Sequence, residues 1–302
     1  LSITEWELLK GILPPLNNSS WTIYFEEYKK IPQYKLLNFD MNLSEFKVIF
    51  YWEYFHRILA RFIGLFFLIP LIYFYFTKKI NIRYLKSCFL IFLLIILQGV
   101  IGWYMVKSGL INDITVSHYR LSIHLSTAVI IISSIFWLLM NVTTNKNKAF
   151  FILSNNNLPF ITLISLIFVQ IIMGAFVSGL DAGKIYQTWP LMNNRYFPDD
   201  LTLLTINDYF DFKNKSLVQF YHRNLAYIII GYFLVISFRY FKSSNAIIIK
   251  NFLIVSIVVL IQIFLGIFTL ISGLNLYLAS LHQISSIFLI LSVLNLNYCC
   301  SK

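Results

Sequence analysis

Charged residues are scarce in this sequence of 302 residues. Only 12% of them are Asp, Glu, Lys or Arg, whereas 58% are hydrophobic and 18% are aromatic. A soluble domain could not cover that much apolar surface with polar side chains. The composition therefore excludes an ordinary soluble globular protein and indicates a chain that lies in a lipid bilayer.

Uncharged stretches long enough to cross a bilayer recur along the chain. They are 87–106, 121–140, 158–180 and 251–301, and the last holds two spans. The sequence Ser-Gly-Leu-Asn at 272–275 divides this last run. The segments near 49–76 and 218–241, which carry a few charged residues, bring the predicted spans to seven. Because lipid offers the backbone no hydrogen-bond partners, spans are helices or closed barrels, and these runs are too long for barrel strands. The predicted fold class is therefore an all-α integral membrane protein.

Acidic residues are absent from three short connections that hold lysine and arginine instead, namely 77–86, 141–157 and 239–250. The positive-inside rule places such basic connections on the cytoplasmic side. The segments then expected on the outer side are 1–48, 107–118 and 181–216. The net charge of +11 is dispersed over helix ends and forms no basic stripe, so nucleic acid is not an expected partner.

Cysteine is also rare, with three residues in the whole chain. All three fall near predicted cytoplasmic helix ends, where thiols stay reduced. No structural disulfide is expected.

An internal repeat divides the chain into two halves. His56-Arg57 recurs as His222-Arg223, and two further motifs recur in the same order. These are Gln98-x-x-x-Gly102 with Gln262-x-x-x-Gly266, and Ser122-x-His124 with Ser280-x-His282. The repeat predicts two pseudo-repeated four-helix bundles, hence eight transmembrane helices in the full protein. Seven are visible, and the first is expected before Leu1.

The predicted organisation along the chain follows from the spans and the repeat. It comprises an outer loop at 1–48, a first half at 49–140, a cytoplasmic linker at 141–157, and a second half at 158–298 with an outer loop at 181–216.

The four histidines of the repeat fall on alternate predicted helices, about five to eight residues from the outer end of each. They are His56, His124, His222 and His282. Alternate helices run parallel, so the four are expected in one layer near the outer surface. Ionisable residues in membrane helices are costly and mark functional sites. Two imidazoles on facing helices suit axial coordination of haem iron, whereas zinc would need three or four ligands at one point.

Four arginines accompany these histidines, namely Arg57, Arg61, Arg120 and Arg223. Guanidinium groups suit carboxylates, so these residues are candidate contacts for haem propionates. The alternative is that they only mark the membrane interface. The fifth histidine, His118, has no counterpart in the second half and is expected in an outer loop, either at the surface or behind a ligand.

The two halves differ beside their first histidine. Glu53 stands three residues before His56, and Gln219 stands three residues before His222. This spacing places each on the same helix face as its histidine. A carboxylate can move protons or stabilise developing positive charge, and an amide cannot. A reactive haem site is thus expected in the first half and an electron-transfer haem in the second, although Glu53 also has the spacing for an ion pair with Arg57.

Several longer motifs closely resemble the haem A synthase family, in its alphaproteobacterial and mitochondrial branch. They are EYFHR at 53–57, GWYMVKSGL at 102–110, VSHYRLSIHL at 116–125, GAFVSGLDAGKIYQTWPLM at 174–192, VQFYHR at 218–223 and ASLHQ at 279–283. The opening LSITEWELLKGILPPL is similar to the first outer loop of the family. The cysteine pair that other bacterial branches carry in that loop is absent here.

The resemblance implies an eight-helix membrane enzyme, an oxidoreductase that makes haem A for cytochrome oxidase. By successive hydroxylation it would oxidise the C8 methyl of haem O to a formyl group. The family roles imply that His56 and His124 bind the substrate haem iron, that His222 and His282 bind the iron of a haem b cofactor, and that Glu53 is catalytic.

The expected partners are the haem O substrate and the lipid bilayer, and a haem O synthase and an electron donor are candidates. Loops rich in Asn, Lys and Ile are typical of an AT-rich genome and favour a bacterial inner membrane over a mitochondrial one. The alternative functions are a dihaem electron-transfer protein of the cytochrome b kind, and a haem carrier or assembly factor.

Overall fold

The computed structural model describes residues 2–3, 12–109, 115–150, 154, 156–201, 205–240 and 245–301. Parts of the predicted loops at 1–48, 107–118, 181–216 and 239–250 and of the linker at 141–157 lie outside the described residues. The described chain forms the α-helices α1 Asn18–Lys29, α2 Pro32–Leu37, α3 Leu43–Thr77, α4 Ile82–Gly109, α5 His118–Thr144, α6 Leu158–Gly179, α7 Lys215–Tyr240, α8 Ala246–Ile271 and α9 Leu276–Cys300. Two short 3-10 helices, Ala182–Lys184 and Ile206–Phe210, lie between α6 and α7.

The helices belong to two compact units, Leu1–Thr127 and Ala128–Lys302. The first unit holds α1 to α4 and the beginning of α5, and in it α3 packs on α4 and α1. The second unit holds the rest of α5 and α6 to α9, and in it α6 packs on α7 and α9 while α8 runs along α9.

Six helices among the described residues are long and apolar enough to cross a membrane, namely α3, α4, α5, α6, α8 and α9. The seventh predicted span is also a helix, α7, but its first half carries Gln219, His222, Arg223 and Asn224 and is more polar. The prediction of an all-α, multi-pass membrane protein is confirmed.

Helix α3 begins at Leu43, six residues before the predicted start of its span. The Asn42 side chain accepts from the backbone N–H groups of Ser44 and Glu45, and Glu45 accepts from the Asn42 N–H, which closes a capping box. The added turns pack their apolar face against α1 through an aromatic cluster.

In this cluster Phe46 and Phe50 are buried with Trp21, Phe25 and Tyr28 of α1. The ring centres of Trp21 and Phe50 lie 4.9 Å apart. Because these turns extend α3 beyond the apolar run, His56 lies further from the helix start than predicted. The other three site histidines lie six or seven residues after the first residue of their helix, as expected.

The predicted division at 272–275 is confirmed by the turn between α8 and α9. Gly273 and Leu274 both adopt left-handed backbone conformations, with φ of 70° and 65°. Glycine enters this region at little cost. Asn275 then caps α9 by accepting from the N–H groups of Tyr277 and Leu278.

The C-terminal end of α9 is tied to the connection that follows α5. The Lys148 Nζ donates to the carbonyl oxygens of Tyr298, at 2.8 Å, and of Ser301. The Tyr298 hydroxyl lies 3.1 Å from Asn141 Oδ1. A lysine here satisfies carbonyls that end a helix without intrahelical partners.

Candidate functional site

The first unit brings His56 and His124 together. Their ring centres lie 6.5 Å apart with an interplanar angle of 71°. A metal–imidazole nitrogen bond is about 2 Å long, so two rings on opposite sides of one metal ion have centres about 6 Å apart. The separation fits one metal ion between the rings. His56 is exposed and His124 is half-buried, which leaves one side of the pair open to a large ligand.

In the second unit, the two helices that carry the other two histidines both pack on α6. His222 belongs to α7 and His282 to α9.

Imidazole nitrogens are left unpaired at three of the four histidines. Within the described residues, the Nδ1 atoms of His124, His222 and His282 are buried and have no hydrogen-bond partner. Buried polar atoms are normally paired. Unpaired nitrogens at the positions predicted to bind iron fit a haem-ligating role.

Glu53 is held from two sides in the first unit. Its Oε1 accepts from Arg57 NH2 at 2.6 Å. Its Oε2 accepts from the backbone N–H of Ser2 at 2.7 Å and from the Ser2 hydroxyl at 2.9 Å. The side chains of Arg57 and Glu53 are only 14% and 17% exposed, so this ion pair is largely shielded from water.

Arg57 also contacts the segment at residues 2 and 3, since its NH2 donates to the Ile3 carbonyl at 3.2 Å. The predicted pair between Glu53 and Arg57 is therefore present, and it forms part of a network that joins α3 to residues 2 and 3. A propionate contact of Arg57 would have to share this guanidinium.

Gln219 occupies the equivalent place in the second unit and makes the opposite kind of hydrogen bond. It is 2% exposed, and its Nε2 donates to the Tyr186 carbonyl at 2.8 Å. A carboxylate could not donate this bond. Glu53 thus meets backbone N–H groups, whereas Gln219 meets a backbone carbonyl, and each side chain matches the polarity of the segment that covers it.

Arg223 contacts the segment around Tyr186 that Gln219 also contacts. Its NH2 donates to the Tyr186 carbonyl at 2.8 Å, and its NH1 donates to the carbonyls of Thr188 and Leu191 at 2.9 and 3.3 Å. The structure thus gives Arg223 a loop-holding role that the sequence did not suggest.

The remaining polar candidates have different surroundings. Arg120 lies over the Tyr104 ring, with Cζ 4.7 Å from the ring centre, and Arg61 is half-buried on α3. His118 is 8% exposed, so it does not lie at the surface, which was one of the two positions expected for it. It is the first residue of α5 and packs on Tyr119, with ring centres 4.0 Å apart.

Sequence reasoning missed a polar cluster behind Gln219. The Tyr186 hydroxyl lies 2.8 Å from Asp199 Oδ1 and 2.5 Å from Asp200 Oδ1, and it donates its single proton to one of them at a time. Ser216 donates to the other oxygen of Asp200 at 2.6 Å. Burial, followed by these two hydrogen bonds, raises the pKa of Tyr186. The cluster fixes the segment whose carbonyls hold Gln219 and Arg223.

Sequence reasoning also missed a third copy of the Gln-x-x-x-Gly motif. Gln170 and Gly174 of α6 contact His222, as the two recognised copies contact His124 and His282. The signal was present in the letters QIIMG at 170–174. This copy has no counterpart in the given sequence of the first half, so comparing the two halves did not reveal it.

Known proteins are similar to this chain over nearly its whole length. Residues 1–294 match the COX15-CtaA family model, described as cytochrome oxidase assembly protein. The chain is 49% identical over 97% of its length to a haem A synthase of Pelagibacter ubique, of which it covers 85%. It is 40% identical over 94% of its length to a haem A synthase of Flavobacterium psychrophilum, of which it covers 84%. It is 39% identical over 96% of its length to one of Rickettsia africae, of which it covers 86%.

Proposed function

Because this chain belongs to the haem A synthase family of cytochrome oxidase assembly proteins, we propose that it converts haem O to haem A by oxidising the C8 methyl group to a formyl group. The protein is an oxidoreductase and a multi-pass membrane protein, and its product is used in cytochrome oxidase. The single observation that carries the assignment of roles is that the residue three before the first histidine is an ion-paired carboxylate in the first unit, Glu53, and a neutral amide in the second, Gln219.

His56 and His124 hold the substrate haem in this proposal. Their ring separation of 6.5 Å suits one iron atom between them, and the exposure of His56 lets a macrocycle enter from one side. A substrate has to arrive and leave, so a pair with one open side is better suited to it than a pair enclosed on both sides.

Glu53 acts next to this pair, three residues before His56 on the same face of α3. The bound iron supplies the redox chemistry. Glu53 contributes a carboxylate that is oriented before substrate binds, because Ser2 and Arg57 hold both of its oxygens. At that place it can accept a proton from the reacting methyl carbon or stabilise positive charge that develops there.

His222 and His282 would hold a haem b cofactor, which would supply electron transfer. The neutral Gln219 beside them adds no charge and keeps the outer segment in place through Tyr186. Arg57, Arg61, Arg120 and Arg223 are the proposed contacts for haem propionates, and Arg57 and Arg223 would share their guanidinium groups with the protein groups to which they donate.

The membrane is proposed to be a bacterial inner membrane, which the bacterial sources of the similar proteins support. A haem O synthase that delivers substrate and an electron donor are the proposed partners.

Pigment extraction from purified protein tests the assignment. Wild-type protein, produced in cells that make haem O, is expected to contain haem b together with haem A or a hydroxylated intermediate. His282→Met should deplete haem b, and the matched His56→Met should deplete the haem O-derived pigments and leave haem b.

Two results contradict the proposal. Haem b in both pairs, with no haem O-derived pigment, would make this protein a dihaem electron carrier. If the wild type and the active-site variants all bind haem O and release it unchanged, this protein is a haem carrier.

A further inference from the structure

The motif Gln-x-x-x-Gly occurs on three helices, each of which precedes a helix with a site histidine. The pairs are Gln98 and Gly102 on α4, Gln170 and Gly174 on α6, and Gln262 and Gly266 on α8. Residues four apart lie on one face of a helix, about one turn from each other. Each motif therefore presents an amide and a gap to the neighbouring helix.

The glutamine makes the same bond in all three places. Its Nε2 donates to the backbone carbonyl of the histidine itself, to His124 at 2.9 Å, to His222 at 3.0 Å and to His282 at 3.1 Å. A backbone carbonyl has two lone pairs, so it can accept this bond in addition to its helical one. The bond thus attaches to the residue that carries the ligand, and not to a neighbouring residue.

The glycine leaves room for the imidazole edge. A Cβ added at Gly102, Gly174 or Gly266 would lie 3.0, 3.2 or 3.0 Å from Cε1 of the respective histidine. Ordinary van der Waals contact begins at longer distances, so alanine would push each ring. By contrast, a Cβ at Gly99 on α4 or at Gly231 on α7 would meet nothing within 4 Å.

One of the glutamines is itself oriented. Gln262 Oε1 accepts from the Ser285 hydroxyl, which turns its Nε2 towards the His282 carbonyl. The same hydroxyl lies 3.0 Å from that carbonyl and can donate its single proton to only one of the two oxygens at a time. In α8 and α9, side chains on both helices therefore converge on the main chain of one histidine.

We propose that each Gln-x-x-x-Gly pair is a positioning device for the histidine it contacts. The glutamine sets the height of the histidine's main chain against the preceding helix, and the glycine notch limits the rotation of the ring about its side-chain bonds. Together they determine the direction in which the imidazole plane meets its ligand. This inference rests on the proposed function, in which these histidines bind haem iron.

The haem b pair offers the sharpest experiment, because its haem should remain bound through purification. We would prepare Gly266→Ala, which fills the notch, and Gln262→Leu, which removes the donor. Gly231→Ala serves as the matched control, since it adds the same methyl group to a membrane helix of the same unit where nothing lies nearby. Each protein would be measured for haem b content, for the g-values of its low-spin ferric haem by electron paramagnetic resonance, and for its thermal unfolding midpoint.

Both test variants are expected to shift the g-values, because these report how the imidazole planes are oriented at the iron. Haem affinity should fall about 10-fold or more, the size of effect typical of residues that orient a metal ligand. Gly231→Ala should match the wild type in both measurements.

Unchanged g-values in both test variants would overturn the inference, even if their yield or unfolding midpoint fell, since that pattern indicates packing alone. A shift in Gly266→Ala with wild-type behaviour of Gln262→Leu would also overturn it, because the glycine would then only make room. Failure of the proposed function looks different: wild-type protein itself would lack the low-spin signal of two histidine ligands.

Discussion

Replacing Glu53 by glutamine separates the chemical role of this residue from its structural role. Glutamine keeps the shape of the side chain and can still accept from Ser2 through its oxygen. Its NH2 group then faces Arg57, which offers only donors. The variant therefore removes the charge and breaks the ion pair while it leaves most of the packing intact.

The structure sets the size of the expected loss of stability. The pair has a 2.6 Å contact, and its side chains are only 14% and 17% exposed. Removing one partner of a buried pair costs roughly 3 to 5 kcal/mol, since it leaves the other charge uncompensated. The residual exposure of both groups places this variant at the lower end, about 3 kcal/mol.

A second substitution decides between the two roles. Arg57→Met removes the uncompensated cation and keeps an apolar stem, so the double variant Glu53→Gln/Arg57→Met should recover about 2 kcal/mol of the loss. Its haem A formation should stay at least about 100-fold below wild type, because a group that transfers protons contributes on that scale.

The assay measures haem A formed per protein in membranes supplied with haem O, and the unfolding midpoint of the same proteins in detergent. A double variant that regains both stability and haem A formation would refute the catalytic role and leave Glu53 as one half of an ion pair. The retention of haem b in both variants is the control, since Glu53 and Arg57 belong to the first unit and His222 and His282 to the second.

Two further predictions concern Tyr186 and Lys148. Burial and hydrogen bonds raise the pKa of Tyr186 above its usual value of 10.0. As pH rises above about 10, the unfolded chain therefore loses this proton before the folded protein does, and the free energy of unfolding falls. Tyr186→Phe should show a flatter dependence of stability on pH between pH 9 and 11, roughly the range around a tyrosine pKa. Lys148→Met removes two hydrogen bonds to the end of α9 and should lower the free energy of unfolding by about 1 to 2 kcal/mol. Lys146→Met, at an exposed neighbouring position, should lower it less. Equal losses in the two variants would contradict a stabilising role of Lys148 at the end of α9.

The helices follow from local sequence because each membrane helix satisfies its own backbone hydrogen bonds and needs only a sufficient apolar length. The span predicted at 158–180 is the helix Leu158–Gly179, and the turn predicted at 272–275 separates α8 from α9. The start of α3 at Leu43 could not be predicted in this way. It depends on the Asn42 cap and on the packing of Phe46 and Phe50 against α1, which apolar length does not record.

The candidate site divides along the same line. The types and order of its residues could be predicted from the sequence, since a comparison of the two halves distinguishes His56 with Glu53 from His222 with Gln219. Which donor meets which acceptor is decided by tertiary structure, because the partners are far apart in the chain. Ser2 reaches Glu53, Tyr186 reaches Gln219, and Gln170 reaches His222 only after the helices pack. A carboxylate and an amide look alike in shape, and only the polarity of the backbone that covers each one explains why they are not interchangeable here.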